Sequence, residues 1–461
     1  MTLFRRDTIV ALATAPLPAG VAVVRLSGPS ALAAASQLMP KLAEAKPREM
    51  VFGALVHQGE TLDHALGVYF KNPHSFTGED VVELHCHGGR AVVQSVVSAL
   101  QTFNGVRHAE AGEFTRRAFL NGKLDLTQAE GLGDLIAAET EAQRQQALRQ
   151  LQGELGQRFE NWRQQVMHLL AHVEAALDFP DEELEVLEEA GLKQKCETLL
   201  QDIQNAIATR SGERLRDGFA VAIVGKPNAG KSTLTNLLTG KDTAIVSPIA
   251  GTTRDVVEAH LNICGYPVVL ADTAGIRESS DVIEQEGVRR ATARAENADL
   301  VIYVVEANEW PALDEKLLGK IQPQHALVLV SKIDSRSDLK LPATIDIRGA
   351  SVPVLGLNLA TANSLTTLLP WVASAIEKRM GPAREAAQIT RARHRAALQQ
   401  ASEHLQRALD LYAQGSSAKY SLSDLLAQDL RDAAKAIGSV TGKTDVEDVL
   451  DLVFSTFCIG K

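Results

Sequence analysis

Apolar and polar positions change their rhythm several times along the chain. Over residues 1–120, short apolar runs are broken by turn residues. "GVAVVRLSG" reads as a strand, with a helix from Ser30 onward. "MVFGALVHQGETLDHALGVYF" reads as two strands around a Gly-Glu turn. "DVVELHCHGG" is another strand, ended by Gly88 and Gly89 before a helix. The run "TIVALATA" follows Arg5 and Arg6, but it is short and preceded by Asp7, so it reads as a first strand in preference to a signal peptide. Strands and helices mixed in this way predict an α+β domain.

From Thr127 the period becomes helical and stays so to about Arg216, with Thr127 and Glu130 spaced as a capping box. At Gly218 it changes again. "FAVAIVG", "YPVVLAD", "DLVIYVVEA" and "HALVLVSK" are near-continuous apolar runs, as parallel strands covered on both faces require. After Gly381 helical spacing returns, in Leu398, Ala401, Leu405 and Tyr412 and in Leu426, Leu430, Ala433 and Ile437. Thr444 and Glu447 are spaced as a second capping box. Val446, Val449, Leu450, Val453 and Phe457 then form a stripe running into the tail. The expected fold is multidomain: an α+β N-terminal domain (1–120), an all-α helical domain in two pieces (121–216 and 377–461), and an inserted α/β domain (217–376).

A chain of 461 residues is long enough for several domains. The net charge of −10 argues against a tight, charge-driven nucleic-acid binder. Cys86, Cys196, Cys264 and Cys458 form neither a zinc pattern nor a disulfide framework, which points to a reducing, cytoplasmic setting. No stretch is long and apolar enough to span a bilayer, so no membrane association is expected. The tail "FSTFCIGK" has the outline of a prenylation box, but Gly460 and Lys461 do not fit one.

The chemistry concentrates in the α/β region. "GKPNAGKST" matches G-x-x-x-x-G-K-[ST] between a strand and a helix, the context of a P-loop. Gly225 and Gly230 let backbone N–H groups of the run Asn228, Ala229, Gly230 turn toward phosphate. Lys231 brings a cation to the β/γ-phosphates, Ser232 offers a hydroxyl to Mg²⁺, and Thr233 follows in the same turn. In "IAGTTRD", Thr253 offers a second Mg²⁺ hydroxyl from a switch loop. In "VVLADTAG", Asp272 holds the metal's water shell and Gly275 offers an N–H to the γ-phosphate, with Thr273 and Ala274 between them.

"VLVSKID" has the N-K-x-D shape, with Ser331 in place of Asn. A buried Asp334 would accept from guanine N1–H and the 2-amino group, two donors adenine does not present there. Lys332 would lay its stem along the base, and Ile333 lies between them. Ser331 is expected to loosen the loop that holds Asp334. Leu359, Ala360 and Thr361 are the best match to the loop that closes over guanine, with the Ala360 N–H as its donor. Ile276 stands where a Ras-like enzyme has its water-orienting glutamine, and no arginine finger is apparent. A monovalent cation held by the Asn228 side-chain carbonyl and switch-loop carbonyls would supply the missing charge. The carboxylate-rich "RESSDVIEQEG" is the place to look for the water-positioning group.

These motifs, with "DTIVALAT", "SFTGEDVVELHCHGG", "EFTRRAFLNGKLDLTQAEG", "DTAGIRE" and the terminal "FCIGK", resemble the tRNA-modification GTPases called MnmE or TrmE along essentially the whole chain. The resemblance implies a folate-binding N-terminal domain, a helical domain and an inserted G domain. It implies a homodimer working with an FAD-binding partner of the MnmG/GidA family on the wobble uridine of certain tRNAs. GTP, Mg²⁺, K⁺ and a one-carbon tetrahydrofolate (5-formyl or methylene) would be the cofactors. Carried over, K⁺ falls to Asn228, Ser247, Ile249 and Thr252, and Mg²⁺ to Ser232 and Thr253. The nucleotide run takes in Pro248, Ala250 and Gly251 as well. The water-positioning glutamate falls on Glu284, and folate on Arg25, Glu83, Lys123 and Lys461. Cys458 is either a chemical participant or a small buried thiol beside Phe457.

Three features stand beside these. His85 and His87 share a strand face and would be two ligands of a metal. Arg107, Arg116, Arg117 and Lys123, with Arg391, Arg393 and Arg395, are either solvated helix faces or tRNA-phosphate contacts. "DFPDEELEVLEEA" reads as an exposed acidic turn. The alternative function is a GTPase switch assisting ribosome assembly, which needs no folate pocket.

Overall fold

The structure is a computed structural model. It describes residues 7–178, 191–240, 259–270, 296, 298–314, 319, 321–336, 338–361, 364–380, 388–414, 421–444, 450, 453–455 and 457–460. The chain divides into two compact units, Met1–Gly133 with Gln150–Leu199 and Gln400–Lys461, and Asp134–Arg149 with Leu200–Gln399.

The first unit begins with strands β1 (Thr8–Leu12) and β2 (Ala19–Ser27), helix α1 (Ala31–Leu38), and strands β3 (Met50–His57), β4 (Glu60–Phe70) and β5 (Val81–Gly88). Helix α2 (Arg90–Gln101), strand β6 (Val106–His108) and helix α3 (Glu113–Leu120) follow. The strands form one sheet in the order β3-β4-β5-β2-β1-β6, antiparallel except for the parallel pair β1 and β6. The run "TIVAL" is therefore an interior strand, and Ile9, Val10 and Ala11 are fully buried. The β3–β4 turn is Gln58-Gly59, one residue earlier than the Gly-Glu pair, since His57 and Glu60 are register partners.

Alternation along each strand sorts the sheet's two faces. Ala22, Val24 and Leu26 of β2 and Val82, Leu84 and Cys86 of β5 face the helices and join α1 and α2 in one core. Arg25, Glu83 and His85 fall on the opposite face, together with Phe52 and Leu66. At the β1 end that face is covered by Phe114 of α3 and by Phe76, which pack with Ile9, Ala11 and Ala109.

Helix α4 (Leu126–Ala137) does not start on the box expected at Thr127 and Glu130. Asp125 is the cap: its carboxylate accepts from the Gln128 N–H at 2.8 Å, and the Asp125 N–H donates to Gln128 Oε1 at 2.9 Å. Thr127 and Glu130 lie inside the helix and are buried. The two pairs have the same spacing, but the first helical turn selects the one whose leading residue is outside it. Helices α5 (Glu141–Leu151) and α6 (Glu154–Asp178) follow. Glu447, Val446, Val449 and residues 179–190 of the acidic stretch lie outside the described residues.

The second unit holds the rest of the α/β pattern. Helices α7 (Leu192–Ala208) and α8 (Ser211–Asp217) precede strand β7 (Phe219–Val224), helix α9 (Lys231–Leu238), and strands β8 (Ala259–Ile263), β9 (Tyr266–Leu270), β10 (Leu300–Glu306), β11 (Ala326–Ser331), β12 (Thr344–Ile347) and β13 (Ala350–Leu357). The sheet order is β12-β13-β11-β10-β7-β9-β8, parallel through the middle with an antiparallel pair at each edge. Both faces of β10 are covered: Leu300, Ile302 and Val304 enter one core, and Val301, Tyr303 and Val305 the other. This is the continuous burial that the apolar runs predicted.

Helices α10 (Ser364–Met380), α11 (Ala392–Gln414) and α12 (Ser421–Thr441) complete the helical pattern. In the first unit α12 packs along α6, with Leu430, Ala433 and Ile437 buried on α12 and Trp162, Val166 and Val173 on α6.

Arg107 and Arg117 are neither a solvated face nor free for phosphate. Arg117 Nη2 meets Asp7 Oδ1 at 2.8 Å and Glu113 Oε1 at 2.9 Å, and its Nη1 meets Glu79 Oε2 at 3.1 Å. Arg107 binds the same Asp7 and Glu113. Arg391 and Arg395 are likewise paired, with Asp134 and Glu213. Tertiary contact brings acids from distant sequence to each arginine, which a helical wheel does not reveal.

Burial alone would raise the Asp7 and Glu113 carboxyls, but hydrogen bonds and charge from Arg107 and Arg117 outweigh it, so both stand below the usual range. A lowered folded value stabilises the fold above the ordinary carboxylate value of about 4, and that stability is lost as pH falls through the folded value. Arg117→Met is expected to cost about 1–3 kcal/mol, because Glu79 loses its guanidinium while Asp7 and Glu113 keep only Arg107. Its unfolding free energy should also fall off less steeply in acid than the parent's. Equal acid profiles in chemical denaturation would refute the cluster's role.

Candidate functional site

The P-loop is built by close approach. At Gly225, φ is +148°, and a Cβ would sit 2.1 Å from the Val304 carbonyl oxygen of β10. Only glycine lets the chain leave β7 so close to its neighbour. The loop then turns through Asn228 at φ +61° and Gly230 at φ +100° into α9. The first N–H groups of α9 have no partner within the helix, which makes its start an anion site. Ala229 is buried, whereas Asn228, Ser232 and Thr233 are exposed and open to a ligand. Lys231 Nζ donates to the Lys226 carbonyl at 2.6 Å, and burial lowers its pKa. A phosphate would offer this cation an anionic partner.

The "VLVSKID" segment is tied to the P-loop. Ser331 is fully buried, and its hydroxyl donates to the Ala229 carbonyl at 2.6 Å. Against the expected loosening at Ser331 stands this tether, in which a hydroxyl reaches a P-loop carbonyl. Lys332, at φ +54°, pairs with Glu306 at 3.0 Å, a partner the motif does not reveal. Ile333 and Asp334 lie in the short turn Ile333–Ser335. Asp334 is exposed, not buried as expected. Leu359 is buried in the G-domain core, and its Cδ1 lies 3.4 Å from where a Cβ on Gly230 would be. The Ala360 N–H, the expected guanine donor, is taken by Asn358 Oδ1 at 3.0 Å, and the Thr361 N–H by the Asn358 carbonyl at 3.2 Å. The Asn at the head of "NLAT" is the signal for this side-chain turn.

A second group forms on the N-terminal sheet. Arg25 Nε donates to Glu83 Oε1 at 2.9 Å, and these residues are register partners on β2 and β5. The Arg25 guanidinium lies 5.7 Å from the Phe76 ring centroid and 5.8 Å from that of Phe114, within cation–π range. Neither ring is close to Arg25 in sequence: Phe76 lies in "SFTGEDVVELHCHGG" and Phe114 in "EFTRRAFLNGKLDLTQAEG", and nothing in those motifs joins them to Arg25. Lys123 Nζ donates to the Pro73 carbonyl at 3.1 Å, in the segment that also carries Phe76. Lys123 is exposed and has this one backbone partner, which leaves its ammonium two further donors.

The tail comes to the same side. Ile459 forms an antiparallel bridge with Ala111, and the Gly112 N–H reaches the Cys458 carbonyl at 3.4 Å. At Gly460, φ is +100° and a Cβ would lie 1.9 Å from the Leu12 carbonyl oxygen, so glycine is required there too. Leu12 follows Ala11, the register partner of Arg25. Cys458 is exposed, so the reading as a buried thiol is corrected. Its carbonyl, not its side chain, makes the docking contact.

His87 Nδ1 binds Asp63 Oδ1 at 2.7 Å, and among the described residues no His, Cys, Asp and Glu converge as metal ligands. Ser247, Pro248, Ile249, Ala250, Gly251, Thr252, Thr253, Asp272, Thr273, Ala274, Gly275, Glu284 and Lys461 lie outside the described residues.

A Gly-rich turn joining a buried parallel strand to a helix, with Lys231 and Ser232 at its start, defines a P-loop nucleotide-binding domain. The family model described as "MnmE helical domain" matches residues 126–458, and that described as "GTP-binding protein TrmE N-terminus" matches 8–123. The "tRNA modification GTPase MnmE" of Parvibaculum lavamentivorans is 50% identical over 99% of this chain and 100% of its own. The protein of the same name in Caulobacter vibrioides is 48% identical, over 99% and 100%. Among solved structures, the G domain of the T. maritima FeoB iron transporter is similar at 23% identity and a TM-score of 0.25, over 34% of this chain and 99% of that one. The chain belongs to the tRNA modification GTPase MnmE family.

Ser331→Ala removes the donor to the Ala229 carbonyl, at an expected cost of about 1–3 kcal/mol. Part should appear as a lower G-domain unfolding midpoint and part as weaker GTP binding in a fluorescent-nucleotide titration. If neither moves, the tether is not what holds the two loops together.

Proposed function

We propose that the chain is a K⁺-dependent GTPase that, with an FAD-binding partner of the MnmG/GidA family, forms the aminomethyl-type modification at C5 of the wobble uridine (position 34) of certain tRNAs. A one-carbon tetrahydrofolate is the carbon source. The coarse activity, GTP hydrolysis in tRNA modification, follows from family membership. Membership also sets aside the ribosome-assembly switch. The finer reading is supported above all by the tail, whose Ile459 bridges to Ala111 and whose Gly460 docks on β1 one residue from Ala11, the register partner of Arg25.

In the G domain, Gly225 and Gly230 shape the phosphate cradle and Lys231 supplies its cation. Ser232, with Thr253, would hold Mg²⁺, and the exposed Ser232 hydroxyl fits that role. Asn228, with Ser247, Ile249 and Thr252, would hold K⁺, which supplies positive charge at the β/γ bridge. Glu284 would place the attacking water. Asp334 selects guanine and comes out of solvent only when the base covers it. On the N-terminal domain, Glu83 would accept from the pterin head, Arg25 holds Glu83, and Lys123 and Lys461 would meet the folate's acidic end. Cys458 presents an exposed thiol at the same tail and is the candidate chemical participant there.

A homodimer suits the sheet's outer face. Met50, Phe52 and Leu66 stand exposed on β3 and β4, in the same register rows as Glu83 and His85. Pairing of two such faces would cover these side chains and close the folate site. No described helix is long and apolar enough to cross a membrane. We place the protein in the cytoplasm with its tRNA substrate.

GTP hydrolysis should be much faster in K⁺ than in Na⁺ at equal ionic strength, and Glu284→Ala should slow turnover while leaving GTP affinity near the parent's. Equal rates in the two salts would remove the cation from the mechanism. Deleting residues 458–461 should leave a folded, dimeric GTPase with weakened folate binding by calorimetry and no tRNA modification. Parent-like folate affinity and modification in that variant would reduce the tail to an ordered chain end.

A further inference from the structure

The outer face of the N-terminal sheet holds a buried nitrogen without a hydrogen bond, His85 Nε2. Its register partners are Val23 on β2 and Leu66 on β4, and neither side chain can donate or accept. The charged group that faces it is Glu83 Oε2, 3.6 Å away on the same strand face. That distance is just beyond a hydrogen bond. His87, two residues on, differs: it is satisfied by Asp63. Leaving a buried polar atom unpaired is costly, so the site favours any state that gives it a partner.

Glu83 is divided between two uses. Arg25 engages only Oε1, with Nε at 2.9 Å and Nη2 at 2.8 Å. Oε2 is the oxygen left for a ligand, and a carboxylate oxygen has two lone pairs. One can meet a ligand N–H while the other meets His85. Val23 and Leu66 flank His85 and offer it no polar alternative to this oxygen.

We propose that His85 is a positioning residue for the one-carbon site: its Nε2–H closes on Glu83 Oε2 when a ligand arrives, and fixes the direction of the lone pair that the ligand's N–H donor meets. The ligand class is a ring carrying such a donor beside an exocyclic amine, as the pterin head of a tetrahydrofolate does. This rests on the folate reading above and adds a residue to it. A closing movement of about 0.7 Å brings 3.6 Å to hydrogen-bond length.

The test is calorimetric titration of the full-length parent, His85→Leu and His85→Gln with 5-formyltetrahydrofolate. p-Aminobenzoylglutamate, which lacks the pterin, serves as the control ligand. His85→Leu should weaken folate binding about tenfold, and His85→Gln, which keeps a donor, should stay within roughly threefold of the parent. The control ligand should bind all three alike. The unliganded His85→Leu protein should unfold at or above the parent's midpoint, since an unpaired buried nitrogen has been removed. Unchanged affinity in His85→Leu overturns the proposal. So does a Gln variant as weak as the Leu variant, or a Leu variant that loses stability and affinity together, since each makes the ring mere packing. A parent that binds no folate overturns the folate reading itself, and this inference with it.

Discussion

The N-terminal half of the site depends on one guanidinium. Arg117 joins Asp7 at the entry to β1, Glu79 in the segment before β5, and Glu113 at the start of α3. These three pieces carry the parts of the Arg25 pocket. The segment before β5 supplies Phe76, α3 supplies Phe114, and β1 runs beside β2, where Arg25 sits. Glu79 is also bound by the Ser27 hydroxyl at 2.6 Å, which pins the segment to the end of β2. A buried charge tolerates few alternative arrangements, because each one strands a carboxylate without its partner. The cluster thus holds Phe76 and Phe114 against the Arg25 guanidinium from two sides.

The tail uses the same foundation. Gly112, at the start of α3, has room for no side chain: a Cβ there would lie 2.6 Å from the Phe454 carbonyl. Phe119 of α3, with Leu126 and Ala129 of α4, packs against Leu450, Val453 and Phe454. The last apolar stripe is therefore received by the elements that follow the cluster, and Ile459 and Gly460 reach β1 from there. Chain ends usually fray unless tied down. This one is tied by two glycines that admit backbone against backbone.

The G domain solves a similar problem without charge. Its phosphate loop and base loop come from different strands, and one buried hydroxyl, Ser331, links them. A side chain as short as Ser331 makes the link because the two loops lie close together. Asp334 and Ser232 are exposed.

Much of this was legible in the residues alone. The near-continuous apolar runs of β10 and β11 announce a parallel sheet covered on both faces, because burial on both sides removes the need for alternation. "GKPNAGKST" announces its loop, because so few residue types allow a backbone to curl around phosphate. Whole-chain motifs carried the family. What sequence could not decide was pairing across space. Arg107 and Arg117 looked like exposed cations until tertiary contact supplied Asp7, Glu79 and Glu113. Asp125, not Thr127, caps α4, because two equally spaced pairs compete and only the helix start chooses. Ser331 looked like a weakness until Ala229 was seen beside it, and His85 like half a metal site until its neighbours proved to be Val23, Leu66 and Glu83. Periodicity and loop chemistry are local, so the order of residues determines them. The partner of a polar atom is fixed by strand register and packing, which exist only once the chain has folded.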